Sequence, residues 1–366
     1  MPAFLRRWAS ETGDAYVLGV VRAIVGVLLF LQALSAAGDL ARTGYFGDHF
    51  HLPFIPERFV PSATTFIAIV AVRILAAVLV TVGHRARYAL AVSAILGVYT
   101  LLLDRVEFHH NRYSLYCYAF LLALAPSDRS LAITRDESPS DGAPMWAQRL
   151  AQIQVALIYL ASGGSKLADP DWRDGLVIAD RFARYAYQAL ERGIPPRLVE
   201  AFSTPQATSA LAKLAIATEL FLAVGLFSSR TRVFALWWGT MFHLTIEVTS
   251  KVEIFTWLTL TMYALFATPD VRARKLFFDG TRPRGRFYAR LVRALDWLAR
   301  FEVKAWAPDD LKKGHSIVVV RRDGSRATGI RALAMCARTL PLLFPLWAPL
   351  AFIASFTKGG DPPAKA

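Results

Sequence analysis

Long apolar stretches with few charged side chains dominate this chain and limit the folds open to it. Charged residues make up 19% of its 366 residues, whereas soluble domains usually contain about 25%. An apolar stretch of about 20 residues is long enough to cross a bilayer as a helix. The pattern predicts an all-α polytopic membrane bundle of about eight transmembrane helices, at residues 16–37, 64–82, 88–103, 113–125, 146–161, 211–227, 233–248 and 254–267.

The charge distribution divides the chain into two predicted domains, 1–270 and 271–366. Residues 271–366 hold 19 Lys and Arg against 7 Asp and Glu, a net charge of +12, and residues 1–270 hold 23 against 21. A basic segment beside membrane spans is typical of the cytoplasmic side and is attracted to anionic lipid. We therefore expect membrane lipids and a cytoplasmic protein, rather than nucleic acid, as its partners.

The turns between the predicted spans set the orientation of the bundle. Basic side chains concentrate in alternate turns, and by the positive-inside rule that side is cytoplasmic. An even number of spans then puts both termini in the cytoplasm. We expect the membrane to be the plasma membrane. The basic residues concerned are Arg6, Arg7, Arg85, Arg87, Arg129, Arg135, Arg230 and Arg232.

The positions of the cysteines and prolines bear on two further features, disulfide or metal sites and a possible ninth span. Cys117 and Cys336 lie in different regions, so the sequence predicts neither a disulfide framework nor a metal site. Residues 340–356 are apolar enough for a ninth span. Pro341, Pro345 and Pro349, however, favour an interfacial or packed segment.

Ionisable residues lie within the predicted spans, where an unpaired charge is costly; those singled out as candidates are Arg22, Arg73, Glu219, His243 and Glu247. We expect Arg22 or Arg73 to pair with Glu219 and hold the bundle together. His243 lies four residues before Glu247, so a hydrogen bond between them on one helix face is geometrically natural. For this pair a structural role and a catalytic role are equally open.

The stretch after the fifth predicted span contains the most distinctive pattern. Gly163 and Gly164 are expected to end the helix, and Lys166 follows at the outer edge of the membrane. A lysine in a partly dry pocket has a lowered pKa and can act as a base. A snorkelling interfacial lysine is the plainer interpretation, and the residues alone favour it.

Residues 159–175 resemble the motif of the HTTM family, which includes the vitamin K-dependent γ-carboxylase. The matching positions there are Gly163, Lys166, Asp171, Trp172 and Gly175. The resemblance covers roughly residues 15–269. Other matching positions, in chain order, are Arg22, Gly26, Asn111, Tyr113, Leu115, Tyr116, Glu219, Leu220, Arg230, Thr231, Arg232, His243 and Phe255.

The resemblance implies a quinol-dependent oxygenase or epoxidase with a reduced naphthoquinone as cofactor. It makes Lys166 the general base on the quinol, with His243, Asn111 and Arg112 at the catalytic site. The family's Asn-Asn-His element reads His110-Asn111-Arg112 here, and no stretch matches the carboxylase's large lumenal domain. Carboxylation of protein glutamates is therefore not expected. The alternative is a non-catalytic protein that binds lipid or quinone.

The basic C-terminal region has a different pattern. Residues 275–280 and 316–320 predict strands, residues 285–300 predict an amphipathic helix, and a second helix begins at Gly329. This order resembles the DCC family of thioredoxin-like proteins, which implies a small α/β domain. The family's two cysteines fall at Arg282 and Gly285, so thiol–disulfide exchange is not expected and an adaptor role is.

Overall fold

The computed structural model of the chain describes residues 10–13, 15–134, 143–191, 193–250, 254–266, 274–305, 315–321 and 324–357. The fold divides into two compact units, Met1–Ala267 and Thr268–Ala366. Within its described residues, the regular structure of the first unit is helical apart from a two-residue antiparallel pairing of β1 (Thr12–Gly13) with β2 (Ala143–Pro144). Arg6, Arg7 and Arg135, three of the basic residues used for orientation, lie outside the described residues.

All eight apolar segments predicted from the sequence form helices. Their apolar side chains pack against one another or face outward, where the surface exposes many large hydrophobic residues. Within the unit α1 packs along α2, and α3 packs along both α2 and α4. The helices are α1 (Tyr16–Thr43), α2 (Ala63–Val82), α3 (Ala86–Leu102), α4 (His110–Leu124), α5 (Trp146–Ala168), α6 (Pro170–Asp174), α7 (Leu176–Glu191), α8 (Pro196–Phe202), α9 (Pro205–Gly225), α10 (Arg232–Ser250) and α11 (Phe255–Tyr263), which a 3₁₀ turn extends to Phe266.

Helix length and hydropathy identify fewer candidate spans than the sequence pattern did. In the described part of the chain, α1, α2 and α9 are long and apolar enough to cross a membrane. Helix α3 and the α11 segment are apolar but shorter. The chain thus contains membrane-helix candidates, and the figure of about eight spans stays a prediction.

Helix α5 corrects the expected end of the fifth segment. It continues through Gly163 and Gly164 and ends at Ala168, although glycine costs about 1 kcal/mol in a helix interior. The end falls before Pro170, because the residue preceding a proline disfavours helical geometry. Asp169 instead caps the next helix, α6, by accepting a hydrogen bond from the Asp171 N–H at 2.9 Å.

The second unit contains a four-stranded sheet with strand order β4-β3-β5-β6. Strands β3 (Arg274–Phe278) and β4 (Phe301–Ala305) are parallel and are joined through α12 (Pro283–Leu295). Strands β5 (Ile317–Val320) and β6 (Arg326–Thr328) follow as antiparallel neighbours, and α13 (Gly329–Thr339) comes next. The predicted strands and helices are present, while β4 and β6 were not predicted.

The core of this unit lies between the sheet and one layer of helices. Leu276 and Val319 from the sheet, Val292 of α12 and Cys336 of α13 belong to one buried cluster. Residues 341–346 form a 3₁₀ turn that leads into α14 (Trp347–Ser355), which packs against α13. The whole apolar helix, Pro341–Ser355, is shorter than the roughly 20 residues that an upright span needs. This outcome agrees with the packed or interfacial segment predicted for 340–356.

Candidate functional site

Lys166 lies in the last turn of α5, with its ammonium group held by three neighbours. Its Nζ donates a hydrogen bond to Ser162 Oγ at 2.9 Å and forms an ion pair with Glu219 of α9. The same atom lies 4.9 Å from the centre of the Trp172 ring, in cation–π contact. The Lys166 side chain is 18% exposed, so part of it reaches a cavity. A snorkelling lysine at a helix end would have no buried carboxylate partner.

Glu219 was expected to pair with an arginine, and the structure corrects that expectation. Its carboxylate contacts Lys166, and its side chain is 8% exposed. The second oxygen, Oε2, is buried and has no hydrogen-bond partner among the described residues. A buried acceptor without a donor is costly, so this oxygen is available to a proton or to a donor on a ligand.

Gly163 sets the distance between the two helices that hold this ion pair. A Cβ built at Gly163 would lie 3.0 Å from Leu220 Cγ and 3.2 Å from Glu219 Cβ. A Cβ at Gly164 would meet nothing within 4 Å. Gly163 therefore permits the close crossing of α5 and α9 that lets Lys166 and Glu219 meet.

The rest of the motif places the tryptophan over the lysine. The Asp169 cap and Pro170 begin the short helix α6, which contains Trp172. Gly175 ends α6 in the left-handed region, with φ of 86°, and a Cβ there would collide with the backbone of Ser209. The turn after α6 thus packs directly on α9. The spacing from Gly163 to Gly175 brings Trp172 onto Lys166, while Asp171 itself is exposed.

A cavity of about 360 Å³ opens beside the ion pair, between α6, α7, α9 and α10. Lys166, Glu219 and Arg181 are its charged lining residues. Apart from these three and the hydroxyls of Tyr185, Thr218 and Thr245, the lining is apolar or aromatic. It comprises Trp172, Ile178, Phe182, Leu211, Leu214, Ala215, Trp238, Met241, Phe242 and Ile246. Such a lining, mostly apolar with a few polar groups in the wall, suits an amphipathic small molecule.

His243 is buried at 1% exposure and belongs to a second polar cluster. Its Nε2 lies 2.6 Å from Tyr159 Oη, which in turn lies 2.5 Å from Tyr263 Oη. Its Nδ1 has no hydrogen-bond partner among the described residues. The expected bond to Glu247 is therefore not formed, because the imidazole turns away from its own helix toward Tyr159.

Tyr159 and Tyr263 were not identified as site residues from the sequence. Tyr159 lies seven residues before Lys166, which places both on one face of α5. The Tyr159 hydroxyl, at that spacing within an apolar stretch, was the sequence feature that could have identified Tyr159 as a site residue. Tyr263 offered no such spacing, since it meets the cluster only through the packing of α11.

Arg22 and Arg73 lie away from the cavity lining. Arg22 is fully buried and donates to the carbonyl oxygens of Val80 at 3.1 Å and Leu131 at 2.5 Å. Arg73 donates to Thr100 Oγ1 at 3.1 Å and Tyr116 Oη at 2.5 Å, and also contacts Gln32. Both arginines hold helices together through neutral acceptors instead of through Glu219.

Asn111 and Arg112 are in the first turn of α4. Arg112 Nη1 lies 3.9 Å from Glu107 Oε2. Neither residue is among the described residues that line the cavity. The structure therefore does not bring them to Lys166. It groups Lys166 with Glu219, Ser162 and Trp172.

In the second unit, Arg282 and Gly285 lie at the start of α12, where the resemblance would place cysteines. Asp279 precedes them and accepts hydrogen bonds from Thr281 Oγ1 at 2.5 Å and the Thr281 N–H at 2.9 Å. These bonds, with Arg282 nearby, hold the pKa of Asp279 below its ordinary value. Burial raises the pKa of the Cys336 thiol to about 12, so it is not a thiolate near neutral pH.

One of three comparisons with known proteins gives a match, and it covers the first unit. Residues 11–271 match the family model described as HTTM domain. No curated protein and no solved structure gives a match. Within the described residues, no group of three His, Cys, Asp or Glu side chains could hold a metal ion.

Proposed function

Because the chain belongs to the HTTM family, which is associated with vitamin K-dependent carboxylase-like membrane proteins, we propose that its first unit is a quinol-dependent membrane enzyme. The ligand is a reduced naphthoquinone, and Lys166 is the base that accepts the proton of its hydroxyl. The observation on which this rests is the Lys166–Glu219 pair in the wall of a mostly apolar cavity.

The residues present fit such a ligand. Ligand pockets usually measure about 300–1,000 Å³ and have apolar walls with a few polar groups, and this cavity measures about 360 Å³. Phe182, Trp238 and Phe242 offer aromatic surfaces to a bicyclic ring. When bound, a naphthoquinol supplies a hydroxyl which, once deprotonated, lets the ring react with oxygen to an epoxide and a strong base.

The ion pair determines how Lys166 accepts a proton. Its Nζ donates to both Ser162 and Glu219, so an ammonium there must first release a proton. Glu219 is the adjacent acceptor, and its Oε2, which has no hydrogen-bond partner among the described residues, can take up the proton. Passing one proton from Nζ to the carboxylate frees a lone pair on Nζ for the hydroxyl proton. The Lys166–Glu219 pair therefore acts as the base, and Lys166 Nζ is the atom that contacts the ligand.

The proposal does not extend to carboxylation of protein glutamates. The connection between α5 and α9 is occupied by three helices, α6, α7 and α8, and its described residues form no large substrate-binding domain. Asn111, which matches the family element, and Arg112, which stands where that element has histidine, lie outside the cavity lining. Epoxidation without a protein substrate is the chemistry that the site supports.

We further propose about eight spans, a location in the plasma membrane and cytoplasmic termini. Arg85 and Arg87, in and just after the turn that follows α2, and Arg230 and Arg232, at the start of α10, support this orientation. The second unit is proposed as a thioredoxin-like adaptor that binds a cytoplasmic protein. Its strand order, with β3 and β4 parallel and β5 and β6 antiparallel, is consistent with that fold.

One observation favours a second candidate function, a non-catalytic binding protein for lipid or quinone. The Lys166 ammonium already has hydrogen-bond and ion-pair partners in Ser162 and Glu219. A group satisfied in this way can anchor a ligand oxygen without accepting its proton.

The test uses the full chain, purified and reconstituted in lipid nanodiscs. An anaerobic naphthoquinol is added, oxygen is admitted, and the epoxide is measured by chromatography. We expect epoxide from the wild type and a loss of about 100-fold in Lys166→Ala, as removal of a positioned base costs. Lys213→Ala, at an exposed site on the same helix as Glu219, is the matched control and should keep full activity.

The outcomes separate the two candidates. The binding-protein candidate would be supported if the wild type forms no epoxide but binds the quinol, and if Lys166→Arg still binds it. Equal activity of wild type and Lys166→Ala would contradict the role of Lys166.

A further inference from the structure

The second unit has an exposed apolar surface near its C-terminal end. Leu342 is 57% exposed, Leu346 54%, Phe352 68%, Ile353 49% and Phe356 75%. We call these five residues the apolar face. Residues 341–355 contain no charged side chain. Exposed apolar residues that cluster in one segment mark a binding surface, whereas isolated ones are ordinary.

The apolar face has a fixed position on the second unit, because contacts hold the segment to that unit at both ends. At its start Leu340 is fully buried in the core cluster and Leu343 packs against it. At its end Arg331 of α13 donates to Thr357 Oγ1 at 3.2 Å and also to the Thr357 carbonyl oxygen. Ala354 is buried between these points. The inward side of the segment is therefore fixed, and the apolar face points away from the core.

Charged and aromatic groups next to the apolar face indicate its partner. The Arg338 guanidinium lies 5.7 Å from the centre of the Trp347 ring, and Trp347 stacks on Phe344. Tryptophan beside arginine is the usual composition at the boundary between acyl chains and headgroups. The region 271–366 has a net charge of +12, which attracts anionic lipid.

We infer that the apolar face inserts into the headgroup region of an anionic lipid bilayer and holds the second unit on the membrane surface. The inference is independent of the proposed quinol chemistry, because it uses no residue of the cavity. A protein partner would suit the apolar residues equally well. The net positive charge and the covalent link to a unit with membrane-helix candidates favour lipid, since a bilayer is always within reach.

The test places an environment-sensitive fluorescent amino acid at Phe352 of the full chain. The protein is reconstituted in nanodiscs with and without phosphatidylglycerol, and part of the lipid carries bromine as a quencher. The control position is Lys304, an exposed residue of β4, because β4 lies at the opposite edge of the sheet from β6, on which α13 packs. A second protein combines the probe with Leu346→Glu and Phe356→Glu, two exposed changes that leave the core intact.

We expect strong quenching at position 352 in nanodiscs with phosphatidylglycerol and little at position 304. Quenching should fall about threefold when the anionic lipid is omitted, and also in the double glutamate variant. Equal quenching at both positions would overturn the inference. A blue-shifted but unquenched probe at 352 would also overturn it, because the face would then be covered by protein, either a second copy or another part of this chain.

Discussion

Lys166 and Arg73 are both cations buried among the helices of the first unit, yet their surroundings differ. Lys166 contacts a carboxylate and lies beside a cavity of about 360 Å³. Arg73 contacts the neutral groups of Gln32, Thr100 and Tyr116, and it is not among the residues that line that cavity. Arg73, as an arginine, keeps its proton among these neutral acceptors and holds helices together. A cation paired with an acid beside a cavity has a neighbour that can take its proton.

Burial of a charged side chain therefore does not by itself identify a reactive group. Arg73 is buried, whereas Lys166 is only partly buried, and an arginine is effectively always protonated. What separates the two is the partner and the adjoining space.

The largest expected effect follows from removing the acid alone. Glu219→Gln leaves the Lys166 ammonium without its counter-charge, and we expect the free energy of unfolding to fall by about 3 kcal/mol. Denaturant unfolding in detergent measures the loss. The control is Lys166→Met combined with Glu219→Gln, which removes both charges and should recover most of the stability. Equal losses in the single and double variants would show that the ion pair is not formed.

A smaller loss is expected from forcing α5 and α9 apart. In Gly163→Val the new side chain meets Leu220 and the Cβ of Glu219, and we expect a cost of about 2 kcal/mol with reduced epoxide formation. Gly164→Val is the matched control, because a Cβ there meets nothing within 4 Å. Thermal unfolding and activity of the two variants are compared. Similar behaviour of both would exclude a tight crossing at Gly163.

Arg73→Met should cost about 1 kcal/mol, less than Glu219→Gln. No carboxylate among the described residues loses a partner, and Tyr116 Oη still donates to Gln32 Oε1 at 2.6 Å. Denaturant unfolding under the same conditions gives the comparison. A loss as large as that of Glu219→Gln would indicate that Arg73 balances an anion, which would remove the distinction between the two sites.

The smallest effect concerns pH and the second unit. Because the pKa of Asp279 is lowered on folding, its carboxylate stabilises the unit above the unfolded value of 3.8, and this contribution is lost as pH falls through the lower folded value. Hydrogen exchange of the strand β3 amides should therefore show weakening only in acid. Asp279→Asn should be less protected at neutral pH and should lack that acid dependence. Identical acid profiles would contradict a role for the ionised carboxylate.

The sequence predicted the helices of the first unit well, because an apolar stretch of sufficient length has few alternatives to a helix. It also located the segment from Gly163 to Gly175 as the distinctive one. It could not predict that Glu219 pairs with Lys166, since the pairing depends on which helices cross and how closely. Gly163 fixes that distance, but a glycine in the sequence was equally consistent with a helix end.

The second unit shows a different limit. Strand β5 is four residues of Ile and Val and was predicted, whereas β4 mixes Phe, Val and Ala with Glu and Lys. Its residues alternate between apolar and charged through Lys304, a pattern typical of a half-buried edge strand. That signal was present but short. Strand β6 has three residues and owes its existence to pairing with β5.

Photo-crosslinking can determine whether the cavity beside Lys166 holds a naphthoquinol. A photoreactive naphthoquinone analogue is reduced, bound to the full chain in nanodiscs without oxygen, illuminated and mapped by mass spectrometry. We expect adducts on cavity residues such as Phe182, Leu214 and Phe242, and competition by unlabelled naphthoquinol. Adducts confined to other helices, or labelling that the competitor does not reduce, would contradict the claim whether or not the protein proves to be catalytic.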